Sequence, residues 1–231
     1  PFRAADKQNF TALLKEFRER FDAVTRRSGK RLYLTVAMGA SDDVLANTEM
    51  RKVARYVDTV NLMTYDYYEP GSESITGNHS PLFTDPADPK AISSDKSVQA
   101  FEKAGVPAEK ILLGVPFYGH VWGQVGEQNH GLFQTGKAVP GAYAPFGAID
   151  SNQIGPGFTR YWDSAAGVPY LYNAEKRTFI SYEDPESLKA KCKYIRDHKL
   201  GGIMFWDYSS DPTGKLLTTI DREIGAGAVS Q

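Results

Sequence analysis

A single carboxylate, that of Asp66, stands among the phenols of Tyr65, Tyr67 and Tyr68, directly after the apolar run 60–63. These side chains offer hydrogen-bond donors beside an anionic acceptor. Polar residues at the exit of an apolar strand are how a parallel α/β fold presents an active site. From this segment alone, the alternative is a buried strand whose Asp66 caps the next turn.

The composition limits the classes of function that fit the chain. It has 231 residues, a formal net charge of -1 and 41% hydrophobic residues, which suits one sizeable globular core. We expect no nucleic-acid partner, because no basic excess is present, and no membrane partner, because no apolar run approaches the roughly 20 residues of a span. Plentiful Tyr and Trp, 13 and 3 residues, suit stacking against sugars as well as core packing.

Cysteine and histidine give little sign of redox or metal chemistry. Cys192 shares a helix face with Leu188 and Ile195 at spacings of four and seven, which predicts a buried structural thiol. The four histidines show no metal-ligand spacing in the sequence, so we expect no metal site and no cofactor: His79, His120, His130 and His198. Because the chain starts at Pro1 rather than Met, we expect a processed or truncated product that can have lost an export signal.

The elements that must position these residues alternate along the chain. Apolar periodicity and capping residues predict helices at 6–24, 47–56, 94–104, 185–198 and 212–224, and strands at 31–38, 60–66, 110–118 and 203–206. Alternation of this kind predicts a parallel sheet with crossover helices, buried on both faces. Residues 70–89 form a long polar loop, a candidate binding loop. Residues 123–180, rich in Gly, Tyr and Pro, predict a small antiparallel insertion.

The number of strands points to part of a barrel. A closed eight-stranded α/β barrel typically needs about 250 residues, whereas about 150 remain here outside the insertion. Four strands with polar exits therefore indicate half of such a barrel.

Five segments resemble, in order and spacing, the C-terminal half of the catalytic barrel of glycoside hydrolase family 18, the chitinases. They are 33–38 (YLTVAM), 60–68 (VNLMTYDYY), 113–119 (LGVPFYG), 179–185 (FISYEDP) and 201–207 (GGIMFWD). The resemblance implies an α/β fold comprising strands 5–8 of a (β/α)8 TIM barrel plus a small α+β insertion domain. We assign 1–122 and 200–231 to the partial barrel and 123–199 to the insertion.

The resemblance also implies a chemistry. Members of this family hydrolyse β-1,4-linked N-acetylglucosamine polymers with retention, using the substrate's own N-acetyl group, without metal or cofactor. By the resemblance, Tyr65 donates a hydrogen bond to the acetamido carbonyl, and Asp66 binds the amide N–H or stabilises positive charge. Trp206 is expected to form the floor under the reacting sugar. The remaining expected substrate-binding residues are Met63, Phe117, Tyr118, His120 and Trp162. Asp207 and Asp211 are weaker candidates, and Asp211 is most simply a helix cap.

Two departures from the family pattern matter. The motif Asp-x-x-Asp-x-Asp-x-Glu, whose Glu donates the proton, does not occur in the sequence, and His120 stands where many members carry Arg. We therefore expect a secreted chitinase fragment that binds chitin or chitooligosaccharide but is nearly inactive alone. Its open sheet edges, near Tyr33 and Met204, should pair with a missing N-terminal half-barrel or a second copy. The alternatives are a non-catalytic chitooligosaccharide-binding protein of the same fold, and a relative acting on peptidoglycan or N-glycan cores.

Overall fold

Four parallel strands form one sheet of the protein, in the spatial order β1-β2-β3-β9. The structure, a computed structural model, describes residues 3–225. The strands are β1 (Thr35–Gly39), β2 (Thr59–Met63), β3 (Ile111–Pro116) and β9 (Gly202–Trp206). Their register aligns Gly39 with Met63 and Pro116 with Trp206, so the carboxyl ends of neighbouring strands meet at the same edge. The α/β fold predicted from the sequence is confirmed, and its parallel sheet with a separate antiparallel sheet is consistent with a partial barrel plus an insertion.

Seven α-helices lie in residues 3–225; most of them cover one face of this sheet, whereas the helix at 146–150 packs against the second sheet. They are α1 (Lys7–Ser28), α2 (Asp42–Ala46), α3 (Met50–Tyr56), α4 (Ser94–Lys103), α5 (Phe146–Asp150), α6 (Pro185–Asp197) and α7 (Lys215–Gly225). Along β1, Val36 and Met38 are buried whereas Thr35 and Ala37 are exposed. The expectation of burial on both faces is therefore wrong for this edge strand, because within residues 3–225 nothing covers its second face.

Local sequence signals explain where the helices begin and end. The Ser93 side chain accepts a hydrogen bond from the Lys96 backbone at the start of α4, and Asp184 with Ser187 forms a capping box at the start of α6. Helix α1 runs four residues beyond its predicted end and stops at Gly29, whose φ of 69° is left-handed.

Other predicted boundaries also move. The helix predicted at 47–56 is shorter, since α3 begins at Met50, and α2 precedes it. The predicted cap Asp6 forms no cap hydrogen bond and instead pairs with Arg3 at 2.7 Å. Asp211 does cap, because its carboxylate accepts from the backbone N–H of Lys215 at 3.0 Å.

The insertion is a five-stranded antiparallel sheet in the order β5-β4-β8-β7-β6. Its strands are β4 (Tyr118–Gly123), β5 (Lys137–Pro145), β6 (Thr159–Asp163), β7 (Val168–Asn173) and β8 (Thr178–Ser181). The strand predicted at 110–118 is thus two strands, β3 and β4, separated at Phe117. The expected boundary at 122/123 falls inside β4, so the antiparallel sheet begins at Tyr118.

The two sheets share an apolar core. Phe117 and Val115 pack in one cluster with Ile180 of β8 and with Leu188 and Cys192 of α6. Cys192 is fully buried, as the helix-face pattern predicted. Since these residues come from both sheets, the insertion is packed onto the parallel layer through α6.

Candidate active site

Asp66 lies just beyond the carboxyl end of β2, with an unusual backbone conformation. Its φ of 60° is in the left-handed region, which non-glycine residues rarely adopt and which is common at functional sites. Its side chain is 38% exposed. Thr64 fixes the preceding turn by donating from Oγ1 to the Gly114 carbonyl at 2.7 Å. The turn that carries Asp66 is therefore anchored to β3, and the carboxylate is open to solvent at the end of β2.

Side chains of the second sheet hold this carboxylate. The Tyr118 hydroxyl donates to Oδ1 of Asp66 at 2.7 Å, and Nε2 of His120 lies 2.8 Å from the same oxygen. Tyr118 and His120 are two residues apart on β4, so both side chains reach the same face. These partners are side chains rather than the next turn's backbone, so Asp66 does not act as a turn cap here.

A second histidine, absent from our predictions, completes the cluster. Nδ1 of His79 lies 3.6 Å from Oδ1 of Asp66, and the His79 and His120 ring centroids are 4.7 Å apart. His79 is fully buried, and neither of its ring nitrogens has a hydrogen-bond partner. At 3.6 Å its approach to Asp66 is an electrostatic contact rather than a hydrogen bond.

The long loop after β2 brings His79 into place. The His79 backbone N–H donates to Ser181 Oγ at 2.9 Å, and its carbonyl accepts from Tyr67 N–H at 3.1 Å. The neighbouring Ser80 hydroxyl donates to the Thr64 carbonyl at 2.9 Å. The loop predicted as a binding loop is thus held between the two sheets and supplies a side chain to the site.

The electrostatics of the cluster follow from burial and these contacts. Burial acts to raise the pKa of Asp66, but the contacts with His120, His79 and Tyr118 outweigh it and hold that pKa well below its usual range. Burial, with the nearby Asp66 charge, raises the pKa of Tyr65 to about 12. Burial lowers the pKa of His79 to about 4. At neutral pH the site therefore holds a carboxylate anion, a neutral imidazole and a phenol that remains a donor.

Tyr65 lies beside the carboxylate, over the end of the parallel sheet. Its ring is edge-on to Tyr118 with centroids 6.4 Å apart, and its hydroxyl points at the sulfur of Met204 at 4.0 Å. A Cβ at Gly114 would lie 3.0 Å from the Tyr65 ring and 2.4 Å from the Leu62 carbonyl oxygen. Glycine at position 114 is therefore required for the phenol to occupy this place.

Two further predicted residues lie at the same edge of the sheet. Trp206 ends β9 with 61% of its surface exposed, an unusual position for a large apolar ring in a monomer. Met63 ends β2 and lines, with Tyr65 and Asp66, a cleft of about 290 Å³. The exits of β2 and β9 thus present a carboxylate, a phenol, a thioether and a flat aromatic face.

Two predicted residues are not brought to this cluster. Phe117 is fully buried and stacks on Phe205 with centroids 4.6 Å apart, so it has no surface to offer a ligand and acts as core between the sheets. Trp162 lies on the edge strand β6, separated from β4 by β7 and β8, or about 14 Å at ordinary strand spacing. Its ring is covered in part by the guanidinium of Arg160 at 5.3 Å.

An exposed phenol that sequence reasoning missed extends the site. Tyr143 of β5 stacks on Tyr118 with centroids 5.2 Å apart and is 51% exposed. Its hydroxyl lies 2.6 Å from Ser210 Oγ, which in turn donates to Asp207 at 2.6 Å. This chain of contacts connects the insertion to the exit of β9. Tyr143 lies in a Gly-, Ala- and Pro-rich run that carries no sequence signal for a site.

Chemically, the arrangement suits a neutral, polar ligand with a flat apolar face. The anion of Asp66 can accept an N–H hydrogen bond or stabilise a positive centre, and Tyr65 can donate to a carbonyl oxygen. Trp206 offers a flat surface of the kind that pyranose rings pack against.

Comparison with known proteins gives the family. The model of glycosyl hydrolases family 18 matches residues 2–211, and the chain belongs to this family. Chitinase A1 of Niallia circulans is 40% identical over 239 residues, covering 97% of this chain and 34% of that protein.

Solved structures agree with this assignment. A family 18 N-acetylglucosaminidase from Paenibacillus barengoltzii superposes with a TM-score of 0.90 at 42% identity, covering 96% of this chain and 65% of that one. A class V chitinase mutant from Nicotiana tobaccum in complex with NAG4 superposes with a TM-score of 0.88 at 30% identity, covering 97% and 66%. The chain thus spans between about a third and two thirds of the length of these relatives.

Proposed function

We propose that this chain is a substrate-binding part of a chitinase, an enzyme that hydrolyses β-1,4-linked N-acetylglucosamine polymers. The observation that carries the proposal is the grouping of Asp66, Tyr65 and the exposed Trp206 at one edge of the parallel sheet. Family membership supports it, as does the similarity to a chitinase whose structure holds NAG4. The expected ligand is therefore chitin or a chitooligosaccharide.

In the proposed reaction the substrate's acetamido group is the nucleophile. Its carbonyl oxygen attacks the anomeric carbon, the glycosidic C–O bond breaks, and water later opens the cyclic intermediate with net retention. Asp66 accepts the acetamide N–H and stabilises the positive charge that develops on the ring, while Tyr65 donates to the carbonyl oxygen. The low pKa of Asp66 favours this role, because the carboxylate stays ionised beside the reacting group.

The proton for the leaving group must come from outside these residues. The family's acid motif does not occur in the 231 residues, and loss of a general acid typically costs about 10²–10⁴-fold in rate. We therefore propose that the 231-residue chain alone binds chitooligosaccharide but is nearly inactive. Measurable chitin hydrolysis by the purified chain would refute this.

The uncovered face and the end strands of the parallel sheet suggest a partner. β1 and β9 are the two ends of the described sheet, and alternate residues of β1 are exposed. We propose that an N-terminal half-barrel, or else a second copy of the chain, pairs with these edges. Sedimentation of the chain as a stable monomer would argue against it.

We also propose that the parent enzyme is secreted, since its substrate is an insoluble extracellular polymer.

The decisive experiment measures ligand binding rather than turnover. Tetra-N-acetylchitotetraose is titrated calorimetrically into the wild-type chain, Trp206→Ala and Tyr33→Ala. Tyr33 is a matched control, because it is an aromatic residue with 67% exposure. It precedes β1 and so lies at the amino ends of the parallel strands, away from Asp66 and Trp206 at their carboxyl ends. We expect Trp206→Ala to weaken binding about tenfold or more and Tyr33→Ala to leave it unchanged. Equal affinities for all three proteins would refute the proposed site.

A non-catalytic binding protein of the same fold is the second candidate, because the residues proposed to bind the sugar are present whereas the family's acid motif does not occur in the 231 residues. Joining the chain to the preceding part of its own gene separates the two, since a chitinase becomes active and a binding protein does not. The same joined protein, assayed on peptidoglycan and N-glycan cores, tests whether another family substrate is preferred.

A further inference from the structure

The cluster around Asp66 has the donor set of a transition-metal site. His120, His79 and Asp66 each offer one ligand atom, and these three atoms all lie within 4.8 Å of one another. They come from a strand of the second sheet, the long loop and the exit of β2, so the packing of both sheets fixes their mutual positions. Two imidazoles with one carboxylate suit Zn²⁺, Cu²⁺ and Ni²⁺, and discriminate against Mg²⁺ and Ca²⁺, which prefer oxygen ligands.

The distances require little adjustment to hold an ion. Zn²⁺ binds imidazole nitrogen and carboxylate oxygen at about 2.0–2.2 Å, which places tetrahedral ligands about 3.4 Å apart. The measured separations from Oδ1 of Asp66 are 2.8 Å to His120 and 3.6 Å to His79, on either side of that value. An ion on Oδ1 would replace the direct contact between His120 and Asp66, while Tyr118 keeps its hydrogen bond to the carboxylate.

His79 provides the independent observation that points to a ligand. The ring is completely buried, both of its nitrogens lack a hydrogen-bond partner, and Nδ1 faces Asp66. A buried polar group without a partner is destabilising, and such a group in a native fold calls for an explanation. A metal ion on Nδ1 would provide the missing partner.

We propose that Asp66, His79 and His120 bind one divalent transition-metal ion, with Zn²⁺ as the reference ligand. The exposed side of Asp66 leaves a fourth position open to water. Tyr118 remains hydrogen-bonded to the carboxylate and orients it, as partners of metal ligands commonly do. The proposal concerns ion binding by the sugar-free chain. A bound ion would occupy the Asp66 carboxylate that the proposed function assigns to the acetamido group, so ion and chitooligosaccharide should compete.

The test titrates ZnCl2 into the untagged, metal-free 231-residue chain at pH 7.5, with MgCl2 as a parallel titrant. Calorimetry should show one saturable Zn²⁺ site per chain and no Mg²⁺ binding. His120→Gln and His79→Gln should each weaken Zn²⁺ binding at least tenfold. The matched control is His130→Gln, since His130 is exposed and stacks on Tyr161, with centroids 4.1 Å apart, away from Asp66.

The outcomes are distinct. Loss of the Zn²⁺ site in His120→Gln but not in His130→Gln supports the proposal, as does a rise in melting temperature with Zn²⁺ for the wild type alone. Absence of saturable binding, or equal affinity in His120→Gln and wild type, overturns it. Because His79 is buried, the His79→Gln variant counts only if its circular dichroism matches the wild type, and otherwise His120→Gln decides.

Discussion

A buried ion pair holds the loop that supplies His79, and removing one member of the pair should destabilise the chain strongly. Lys191 of α6 and Glu183 are both fully buried and in direct contact. Nζ of Lys191 also donates to the carbonyl and the hydroxyl of Ser80, both at 2.6 Å. Ser187 donates to the other Glu183 oxygen at 2.6 Å. Lys191→Met keeps most of the side-chain volume and removes the charge, the contact with Glu183 and both hydrogen bonds to Ser80.

The expected loss in free energy of unfolding follows from the Glu183 charge that remains buried after Lys191→Met. Burial alone raises the pKa of Glu183 and lowers that of Lys191, so each charge depends on the other for stabilisation. Removing one partner of a buried pair typically costs about 3–5 kcal/mol, because the remaining charge stays desolvated. A domain has a free energy of unfolding of about 5–15 kcal/mol, so the loss is a large share. Urea denaturation followed by circular dichroism measures it.

Two comparisons make this prediction refutable. Lys193→Met is the same substitution two residues along the same helix, where Lys193 is 68% exposed and pairs with Asp197; we expect a change below about 0.5 kcal/mol. The double variant Glu183→Leu with Lys191→Met removes both charges and should recover at least half of the single-variant loss. If Lys191→Met unfolds at the same urea concentration as Lys193→Met, the buried pair does not secure the loop as argued.

Two further predictions concern Gly114 and Asp58. Gly114→Ala should weaken chitotetraose binding about tenfold in calorimetry, because its Cβ would lie 2.4 Å from the Leu62 carbonyl oxygen and 3.0 Å from the Tyr65 ring, so the backbone and the phenol must shift. Unchanged binding by a variant whose circular dichroism matches the wild type would contradict this. Burial opposes ionisation of Asp58, but the Leu34 N–H at 2.7 Å and Arg31 at 2.6 Å lower its pKa. A lowered pKa adds stability above the unfolded-state value of about 3.9 that is lost on acidification. Asp58→Asn should therefore destabilise the chain at pH 7, and in urea titrations this loss should shrink only as the pH falls below about 3.9 towards the lower folded-state pKa. A loss that stays constant over that range would contradict this.

The parallel layer and its polar edge were predictable because both follow from short-range patterns. Val60 and Leu62 alternate with less apolar residues and lead into Tyr65 and Asp66, and the register of parallel strands then brings their exits to one edge. The position of Trp206 at that edge follows from the same rule. Strand type and order therefore suffice to locate much of the candidate site.

Side-chain direction at the junction of the two sheets was not predictable in this way. Phe117 comes directly after β3, as Asp66 comes soon after β2, yet it turns into the core. The reason is tertiary: the Phe117 N–H donates to the Trp206 carbonyl at 2.7 Å and its carbonyl accepts from the Phe146 N–H at 2.9 Å. These bonds hold the residue between two layers, and nothing local in the sequence specifies them.

The meeting of His79, His120 and Asp66 depends on the same tertiary packing. His79 and His120 lie 41 positions apart in sequence on a loop and a strand, so no ligand-spacing rule connects them. The fold retains two locally unfavourable features at this point, a left-handed Asp66 and a buried His79 ring whose nitrogens have no hydrogen-bond partner. Each is tolerated only while its surroundings stay rigid, and Ser80, held by Lys191, is the residue directly after His79. Loosening that contact should therefore disturb ligand and metal binding at Asp66 before it unfolds the chain, because the least favourable local conformations relax first.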